Sequence, residues 1–198
     1  MTKKLLLANA LVALLLLSFT SNTKKYGVNL TESKVTWLAE KVTGEHNGEV
    51  KIKEGNLQVN NGKLTAGDFT IDMTTITCLD IESPEYNQKL VNHLKSEDFF
   101  SVDKFETASF KITKAEPAKS EDGNYMITGN LSIKGITNEI SFPAQVDIDN
   151  ETVKATATII FDRSKFDVRY RSTSFFDSLG DKAIYDDVEM GVKLVASL

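Results

Sequence analysis

The sequence is poor in the residues that most often hold metals, because it has one cysteine and two histidines in 198 residues. Cys78 has no partner for a disulfide within the chain, and the cysteine and histidines do not have the spacing of a zinc site. A reactive thiol needs a histidine or a helix N-terminus beside it. We therefore interpret Cys78 as a small, partly buried apolar residue, and we expect no metal and no other cofactor.

Cationic residues are also fewer than acidic residues. Lys and Arg together number 23 against 28 Asp and Glu, which gives a formal net charge of −5. An acidic chain is repelled by phosphate backbones, so this composition argues against general nucleic-acid binding. It argues equally against a strong electrostatic hold on an anionic membrane surface.

Recognisable catalytic motifs are missing as well. The sequence has no G-x-S-x-G elbow, no H-E-x-x-H pair and no phosphate-binding loop. We interpret the paired acids Asp186 and Asp187 as surface turn residues, and we expect no catalytic residues. Catalytic groups can meet in space without a sequence motif, so an enzyme remains an alternative.

The one long apolar run is too short to cross a bilayer comfortably. Lys3 and Lys4 precede a run of leucine, alanine and valine over residues 5–17, interrupted only by Asn9, and mostly small residues follow. A bilayer span needs about 20 apolar residues, whereas this layout is typical of a secretory signal peptide. We assign residues 1–22 to a signal peptide and expect a periplasmic or secreted protein after its cleavage. An uncleaved anchor is the alternative.

Beyond the leader, we assign residues 23–198 to one domain, whose dominant pattern is the two-residue alternation of half-buried strands. Turn signals such as Asn60-Asn61-Gly62 and Lys134-Gly135 separate the runs. Three of the clearest apolar faces are Val35, Trp37 and Ala39; Tyr125, Ile127, Gly129, Leu131 and Ile133; and Val188, Met190, Val192, Leu194 and Ala196.

Two stretches favour helices instead. Pro84 and Glu85 suit the first turn of a helix, and the spacing of the residues that follow predicts a helix over about residues 84–95. The predicted buried face of this helix consists of Tyr86, Leu90, His93 and Leu94. We interpret His93 as a core residue rather than a ligand. A second, shorter helix is expected over residues 174–179, with Gly180 as its end.

Many antiparallel strands, each with one apolar face, predict either a closed barrel or a sandwich. Long strands in a barrel enclose a long interior, and a barrel of about eight strands can hold one small ligand. The alternation alone does not decide between barrel and sandwich. It is also compatible with an interior that is filled with side chains and has no cavity.

Five segments, in order, resemble the YceI-like family of exported bacterial proteins, over nearly all of the chain after the leader. They are residues 37–55 (WLAEKVTGEHNGEVKIKEG), 93–100 with 107–110 (HLKSEDFF and TASF), 129–143 (GNLSIKGITNEISFP), 161–166 (FDRSKF) and 187–192 (DVEMGV). Each segment alone is a weak match, but five in the right order are specific. Glu106 and Asp167 depart from the family pattern, in which proline and glycine are usual.

The resemblance implies an all-β fold, namely an extended lipocalin-like antiparallel β-barrel of about eight strands with one or two short helices. It also implies that the protein binds a polyisoprenoid, such as an isoprenoid quinone or a prenyl phosphate, in an elongated apolar cavity, for transport, storage or stress protection. The physics agrees with this implication. Each buried methylene contributes about 0.8 kcal/mol on transfer from water, so a long isoprenoid needs an apolar tunnel rather than polar anchors.

Inward-facing apolar side chains are the candidate lining of such a cavity. The residues expected to contact the lipid are Trp37, Phe69, Ile71, Phe110, Ile127, Leu131, Phe142, Val146, Ile159 and Phe161.

Three polar residues are candidates for one end of the cavity. His46 fits either a hydrogen-bonding group at that end or a structural histidine bonded to a neighbouring strand. Arg169 and Arg171 could hold a phosphate headgroup, or they could lie on a solvated face, paired with acids such as Asp167.

The partner expected from this reasoning is an isoprenoid lipid. Transient contact with a membrane and a homodimer are further expectations. Two alternatives to a carrier remain open: an enzyme acting on a lipid or small apolar molecule in the same cavity, and a stress or adhesion module without a ligand.

Overall fold

The structure is a computed structural model that describes residues 22–198. The predicted leader, apart from Asn22, lies outside the described residues and stays a prediction. Among the described residues there are nine strands and one α-helix. The strands are β1 Thr23–Val28, β2 Lys34–Lys41, β3 Gly44–Asn60, β4 Lys63–Cys78, β5 Thr107–Ser120, β6 Gly123–Ile133, β7 Ile136–Ile148, β8 Thr152–Asp162 and β9 Ile184–Ser197. The helix, α1, covers Pro84–Lys95 between β4 and β5.

The nine strands close into an eight-stranded antiparallel barrel, because β1 and β2 share one position in it. β1 pairs with the second half of β3, from Asn56 to Asn60, and β2 pairs with the first half, from Gly44 to Val50. Both also pair with β9. Around the barrel the order is β3, the broken strand β1/β2, β9, β8, β7, β6, β5 and β4, and β4 pairs with β3 to complete the circle. The expectation of a closed barrel is confirmed.

Tight turns explain the antiparallel neighbours. Asn61 and Gly62 have φ of 49° and 74° between β3 and β4, and Lys134 and Gly135 have φ of 51° and 74° between β6 and β7. Two consecutive residues with positive φ are typical of the two-residue hairpin turn whose twist matches that of the strands. The turn signals in the sequence therefore predicted both hairpins correctly.

The two ends of the barrel differ in construction. We call the end with the Asn61-Gly62 turn the hairpin end, since the β5–β6 and β7–β8 turns also lie there. The opposite end, which we call the helix end, carries α1, the Lys134-Gly135 turn and the long connection between β8 and β9. At the hairpin end Tyr26, Val153 and Ala196 are at most 1% exposed, so tightly packed side chains close that end.

Helix α1 packs against the barrel through Val91 and Leu94, with Leu90 half-buried beside them. The predicted helix is confirmed, but its predicted face is wrong at one residue. Tyr86 is 63% exposed, because it lies about 140° around the helix from Val91. Among residues 22–198, no helix is long and apolar enough to cross a membrane.

The connection between β8 and β9 contains two short 3₁₀ turns, Arg163–Phe166 and Gly180–Lys182. The second helix expected over residues 174–179 is wrong. Ser172 explains this, because its carbonyl accepts from the amides of Phe175 and Phe176, and its hydroxyl accepts from the amide of Ser174. These local bonds hold the stretch in turns, and such competition by serine is a known alternative to helix. Gly180 begins a 3₁₀ turn rather than ending a helix.

Candidate ligand-binding cavities in the barrel interior

The barrel interior contains two apolar cavities in series. Cavity 1, toward the hairpin end, has a volume of about 140 Å³, and cavity 2, toward the helix end, has a volume of about 110 Å³. Ile71 and Met190 line both of them. An apolar cavity of about 150 Å³ is large enough for benzene and stays dry when empty. Each cavity therefore accepts a small hydrocarbon group, and together they provide an apolar path along the barrel axis.

Nine of the ten predicted lining residues lie in the walls of these cavities. Cavity 1 is lined by Phe69, Ile71, Phe110, Ile127, Phe142, Val146 and Ile159, and cavity 2 by Trp37, Ile71 and Phe161. Contact between these side chains and a lipid stays a prediction.

The tenth residue, Leu131, lies in the wall of neither cavity. It is half-buried and packs against the core. The ring of Phe110, which lines cavity 1, lies over the neighbouring inward position Gly129, where a built Cβ would lie 2.5 Å from the ring. The missing side chain at Gly129 thus lets Phe110 cover the space between Ile127 and Leu131 on the same face of β6. Leu131 is accordingly not part of the observed lining.

Several lining residues were missed by sequence reasoning. Met190, Val192 and Leu194 of β9 line cavity 1, as do Ala155 and Ala157 of β8. All five lie on apolar faces of alternating strands, so their inward direction was readable from the sequence. The two alanines carry the more useful signal, because a small residue on an inward face leaves space where a larger one would fill it.

Aromatic side chains close cavity 2 at the helix end. Phe99 lines that cavity, and its ring centre lies 4.9 Å from that of His93 and 5.2 Å from that of Tyr170. His93 also contacts Tyr170, at 4.5 Å, and its Nε2 lies 2.9 Å from the Asp98 carboxylate. His93 is therefore packed among rings and hydrogen-bonded, but its side chain is 33% exposed, so it lies at the edge of the core rather than within it.

An outer pocket of about 450 Å³ lies on the other side of this aromatic group. Tyr170 lines it together with three cations and three acids. Its charged residues are Lys134, Arg169, Arg171, Glu97, Asp98 and Asp167. The two arginines proposed for a headgroup therefore do come together, outside the apolar cavities and next to their helix end.

The two arginines differ in their partners. Arg169 forms an ion pair with Asp167 and lies over the ring of Phe175, 4.9 Å from its centre. Arg171 lies 5.1 Å from the ring centre of Tyr170 and has no carboxylate within ion-pair distance among residues 22–198. The surface-pairing interpretation thus fits Arg169, whereas Arg171 has a guanidinium available for an anion.

His46 lies away from both cavities and from the outer pocket. Its Nδ1 is 2.8 Å from Oδ2 of Asp80, just beyond the end of β4. Oδ1 of Asp80 accepts from the Asn47 amide at 2.9 Å and from the Cys78 thiol at 3.2 Å. Burial alone would raise the pKa of Asp80, but the hydrogen bonds from Asn47, His46 and Cys78 lower it to about 2. The structural interpretation of His46 therefore fits this geometry better than a polar cavity end.

Cys78 is 5% exposed. Burial, followed by its hydrogen bond to Asp80, raises the pKa of the Cys78 thiol. A raised pKa disfavours the thiolate, which is the nucleophilic form of cysteine. The cluster of Cys78, Asp80 and His46 thus joins the start of β3 to the end of β4 and has no feature of an activated nucleophile.

Within residues 22–198, Arg163 is the one charged residue in the wall of either cavity, and it is 3% exposed. It donates to the carbonyls of Val168, Tyr185 and Ile184 at 2.9–3.0 Å, and its Nη2 lies 3.2 Å from the Asp186 carboxylate. Burial lowers the pKa of Arg163, and the charge of Asp186 opposes that effect. The bond to Val168 lies within the connection between β8 and β9, and the others reach the start of β9, so Arg163 ties that connection to β9 at the helix end.

Asp186 corrects a further expectation. We interpreted it as a surface turn residue, but its side chain is 16% exposed and lies in β9. Besides pairing with Arg163, it accepts from the hydroxyls of Ser172 and Ser174 at 2.9 and 2.7 Å. The partners are distant in sequence, and the alternation pattern of β9 gave no indication of them.

This arrangement defines a closed, lipocalin-like barrel whose interior is apolar and contains cavities. The sequence matches the YceI-like domain family over residues 26–196, and the chain belongs to that family.

Similar proteins are consistent with this assignment. A UPF0312 protein of Staphylococcus aureus is 35% identical over 78 residues, which cover 39% of this chain and 42% of that protein. The match thus spans less than half the length of that relative.

Two solved structures share the fold. Burkholderia cenocepacia BcnA has a TM-score of 0.67 at 23% identity, over 86% of this chain and 99% of that one. A polyisoprenoid-binding domain from Saccharophagus degradans, implicated in plant cell wall breakdown, has a TM-score of 0.61 at 10% identity, over 87% and 97% of the two chains. Family and fold together support a binding protein.

Proposed function

We propose that this protein is exported and carries a polyisoprenoid lipid, such as an isoprenoid quinone or a prenyl phosphate, with its tail in cavities 1 and 2. The observation that carries the proposal is the pair of apolar cavities along the axis of a barrel in this family. A tail with many methyl and methylene groups gains free energy from each group transferred out of water. The polyisoprenoid-binding domain of similar fold supports the same class of ligand.

The outer pocket supports a position for the headgroup. It adjoins cavity 2 through the aromatic group of His93, Phe99 and Tyr170. A phosphate here would meet Arg171, whose guanidinium has five donors and no carboxylate within ion-pair distance among residues 22–198, while Glu97, Asp98 and Asp167 also line the pocket. An uncharged quinone ring would instead pack against Tyr170 or Phe176, which also line this pocket. A headgroup here remains in contact with water, and a tail that joins it to cavity 2 requires the rings of His93, Phe99 and Tyr170 to move apart.

The test is organic extraction of the protein after native expression with its leader and purification without detergent, followed by mass spectrometry of the extract. We expect an isoprenoid lipid in near-stoichiometric amount, and a mature chain that lacks the leader by intact mass. A chain that begins at Met1 would contradict the cleavage. An extract without isoprenoid, together with no binding of added menaquinone or undecaprenyl phosphate, would contradict the carrier function.

A further inference from the structure

The wall of the barrel is not closed evenly, because β7 and β8 separate along part of their length. Their pairing covers only four positions, from Ile148 with Val153 to Gln145 with Thr156. Beyond that point β7 stays paired with β6 down to Ile136, and β8 stays paired with β9 down to Asp162. Residues 139–144 of β7 and 157–162 of β8 therefore run side by side without a ladder. We call this unpaired stretch the seam.

Both ends of the seam are fastened. At one end the four paired positions hold β7 to β8. At the other, the 3₁₀ turn Arg163–Phe166 lies against β7, where Nδ2 of Asn138 donates to the Lys165 carbonyl at 3.0 Å. Phe166 of the same turn is 1% exposed. The seam is thus a slot bounded by fixed structure, and the two strands can separate between these bounds without loss of a ladder.

Cavity 1 reaches the seam from inside. Its wall includes Phe142 and Ala144 of β7 and Ala157 and Ile159 of β8, which are the inward residues on the two sides of the seam. Ala155 and Ala157 face inward, so strand alternation turns the side chain of Thr156 outward. Thr156 nevertheless lies in the wall of the cavity. Ala157 and Ile159 on the β8 side of the seam are half-buried, whereas Phe142 and Ala144 on the β7 side are 8% and 4% exposed. The β8 side of the seam is therefore the less completely buried one.

Other routes into the cavities are packed. The hairpin end is closed by Tyr26, Val153 and Ala196, and the helix end by Leu94 and Phe99, both of which are 8% exposed. The pairing of β4 with β5 also covers only part of the two strands, because it ends at Gly67 and Ile112. A buried side chain occupies the gap that this leaves.

Leu64 fills the gap between β4 and β5. Its side chain is 2% exposed, and its amide lies 3.4 Å from the hydroxyl of Tyr125. The β7–β8 seam is therefore a break in the barrel wall that lies beside cavity 1 and is bordered on its β8 side by half-buried residues.

The sequence contains one direct cause of the seam. Pro143 lies in the unpaired part of β7, where it pairs with Met126 of β6. Proline has no N–H to donate, so it is tolerated in a sheet where its nitrogen faces no partner strand. A proline at this position favours an edge on the β8 side and disfavours closure of the ladder.

We propose that the seam between residues 139–144 and 157–162 is the lateral portal through which the lipid tail enters and leaves cavity 1. This inference rests on the proposed carrier function. A tail that passes sideways between two strands crosses one layer of side chains, of which Ala144 and Ala157 are small and Phe142 and Ile159 are large. Passage through the helix end would instead require displacement of α1 or of the connection fixed by Arg163.

The test cross-links β7 to β8 across the seam and compares the effect with that of an equivalent cross-link between the paired strands β6 and β7. The outward residue Ser141 of β7 would face Ile160 of β8 if the β7–β8 register continued, and it pairs with Thr128 of β6. The double variant S141C/I160C, joined by a bifunctional methanethiosulfonate, bridges the seam. The double variant S141C/T128C, joined by the same reagent, bridges a ladder that is already closed. Wild type treated with the reagent controls for reaction at the buried Cys78.

The readout is the rate at which delipidated protein takes up menaquinone from phosphatidylcholine vesicles. We expect the bridge across the seam to slow uptake roughly tenfold or more, as for other gated sites, and cleavage of the bridge by reductant to restore the rate. The bridge from Ser141 to Thr128 should leave the rate unchanged. If S141C/I160C does not fold, E139C/I160C and its control E139C/N130C repeat the comparison with Pro143 unchanged.

The outcomes separate the portal from the carrier function. Equal uptake rates for the two bridged proteins would overturn the portal and place passage at the helix end, while leaving lipid binding intact. Absence of uptake in every protein, including untreated wild type, would contradict the carrier function itself.

Discussion

Ile71 of β4 and Met190 of β9 are the two residues that the walls of cavities 1 and 2 have in common. They form the constriction between two spaces that would otherwise make one tunnel. Neither cavity alone holds more than a small hydrocarbon group, so a long tail must pass between these two side chains. Methionine suits such a position, because it is unbranched and adapts its shape at low cost.

Met190→Trp should block the constriction. We expect the affinity for menaquinone with a long tail to fall by roughly tenfold, which corresponds to about 1.4 kcal/mol, while benzene, small enough for one cavity, binds as before. Equilibrium titration of delipidated protein with both ligands measures the difference. Met126→Trp, on the outward face of β6, is the matched control and should change neither affinity. An equal loss for both ligands with M190W would show that the constriction does not separate the cavities.

Asp80→Asn tests the structural interpretation of His46. The folded-state pKa of Asp80, about 2, lies below its ordinary value of 3.8, so the ionised carboxylate stabilises the folded protein above pH 4. This stabilisation is lost as the pH falls from about 4 through 2. We expect D80N to lower the free energy of unfolding at pH 7 by about 1–2 kcal/mol after screening by water.

Urea denaturation at several pH values measures this effect. The difference between wild type and D80N should shrink below pH 4. His46→Ala should also destabilise the protein but leave the affinity for menaquinone unchanged. If H46A is fully folded but binds menaquinone much more weakly than wild type, the alternative role of His46 as a polar residue at the end of the cavity is supported.

Arg171→Ala should weaken binding of a phosphate headgroup specifically. Since Arg171 has no carboxylate partner among the described residues, we expect the affinity for undecaprenyl phosphate to fall by about tenfold, in the range of a charge-assisted hydrogen bond. Undecaprenol, which has the same tail without the phosphate, should bind R171A and wild type equally. Arg169→Ala should have a smaller effect, because Asp167 already pairs with that guanidinium.

Lys165→Ala controls for the loss of one positive charge nearby. Its side chain is 66% exposed and does not line the outer pocket. Unchanged affinity for undecaprenyl phosphate in the double variant R169A/R171A would exclude both arginines from headgroup binding.

Arg163→Ala should strongly destabilise the protein. Removal of the guanidinium leaves Asp186 buried without its cation and three carbonyls without their donor, a loss of about 3–5 kcal/mol for a buried pair. Denaturant unfolding measures the change, and R163A/D186A completes a double-mutant cycle that isolates the coupling of the pair. The double variant should be less destabilised than the sum of the single variants. A loss below about 0.5 kcal/mol, typical of surface substitutions, would show that Arg163 does not fix the β8–β9 connection.

Strand positions and inward faces were predictable because their signal is local. Alternation from Val35 to Ala39, or along β9, places each side chain on one face whatever the rest of the chain does. The same holds for α1 and for the Asn61-Gly62 turn. The sequence also contained the inward alanines and Met190, but the number of strands and their pairing were needed to see that their faces enclose a space.

The errors at Asp186 and Leu131 concern residues distant in sequence, whereas those at Tyr86 and over residues 174–179 have local causes. Asp186 was read as a surface residue because its partner Arg163 lies 23 positions away and becomes adjacent only when β8 and β9 pair. The helix expected over residues 174–179 gave way to bonds from Ser172. Leu131 was assigned to the cavity because its direction was right, whereas the ring of Phe110 over Gly129 determines what Leu131 contacts. The seam could not be predicted from the sequence either, because it depends on which positions of β7 and β8 pair. Pro143 alone indicates only that pairing on one side of β7 is disfavoured.

The central claim is that inward residues of the barrel surround a lipid tail. The most direct measurement is photolabelling with a polyisoprenoid that carries a diazirine at the end of its tail, followed by mass spectrometry of the digested protein. The account predicts labels on inward residues of cavities 1 and 2, such as Ile127, Met190 and Val192, and none on the outward Met126 or Lys193. Labels confined to outward residues, or no label at saturating lipid, would contradict it.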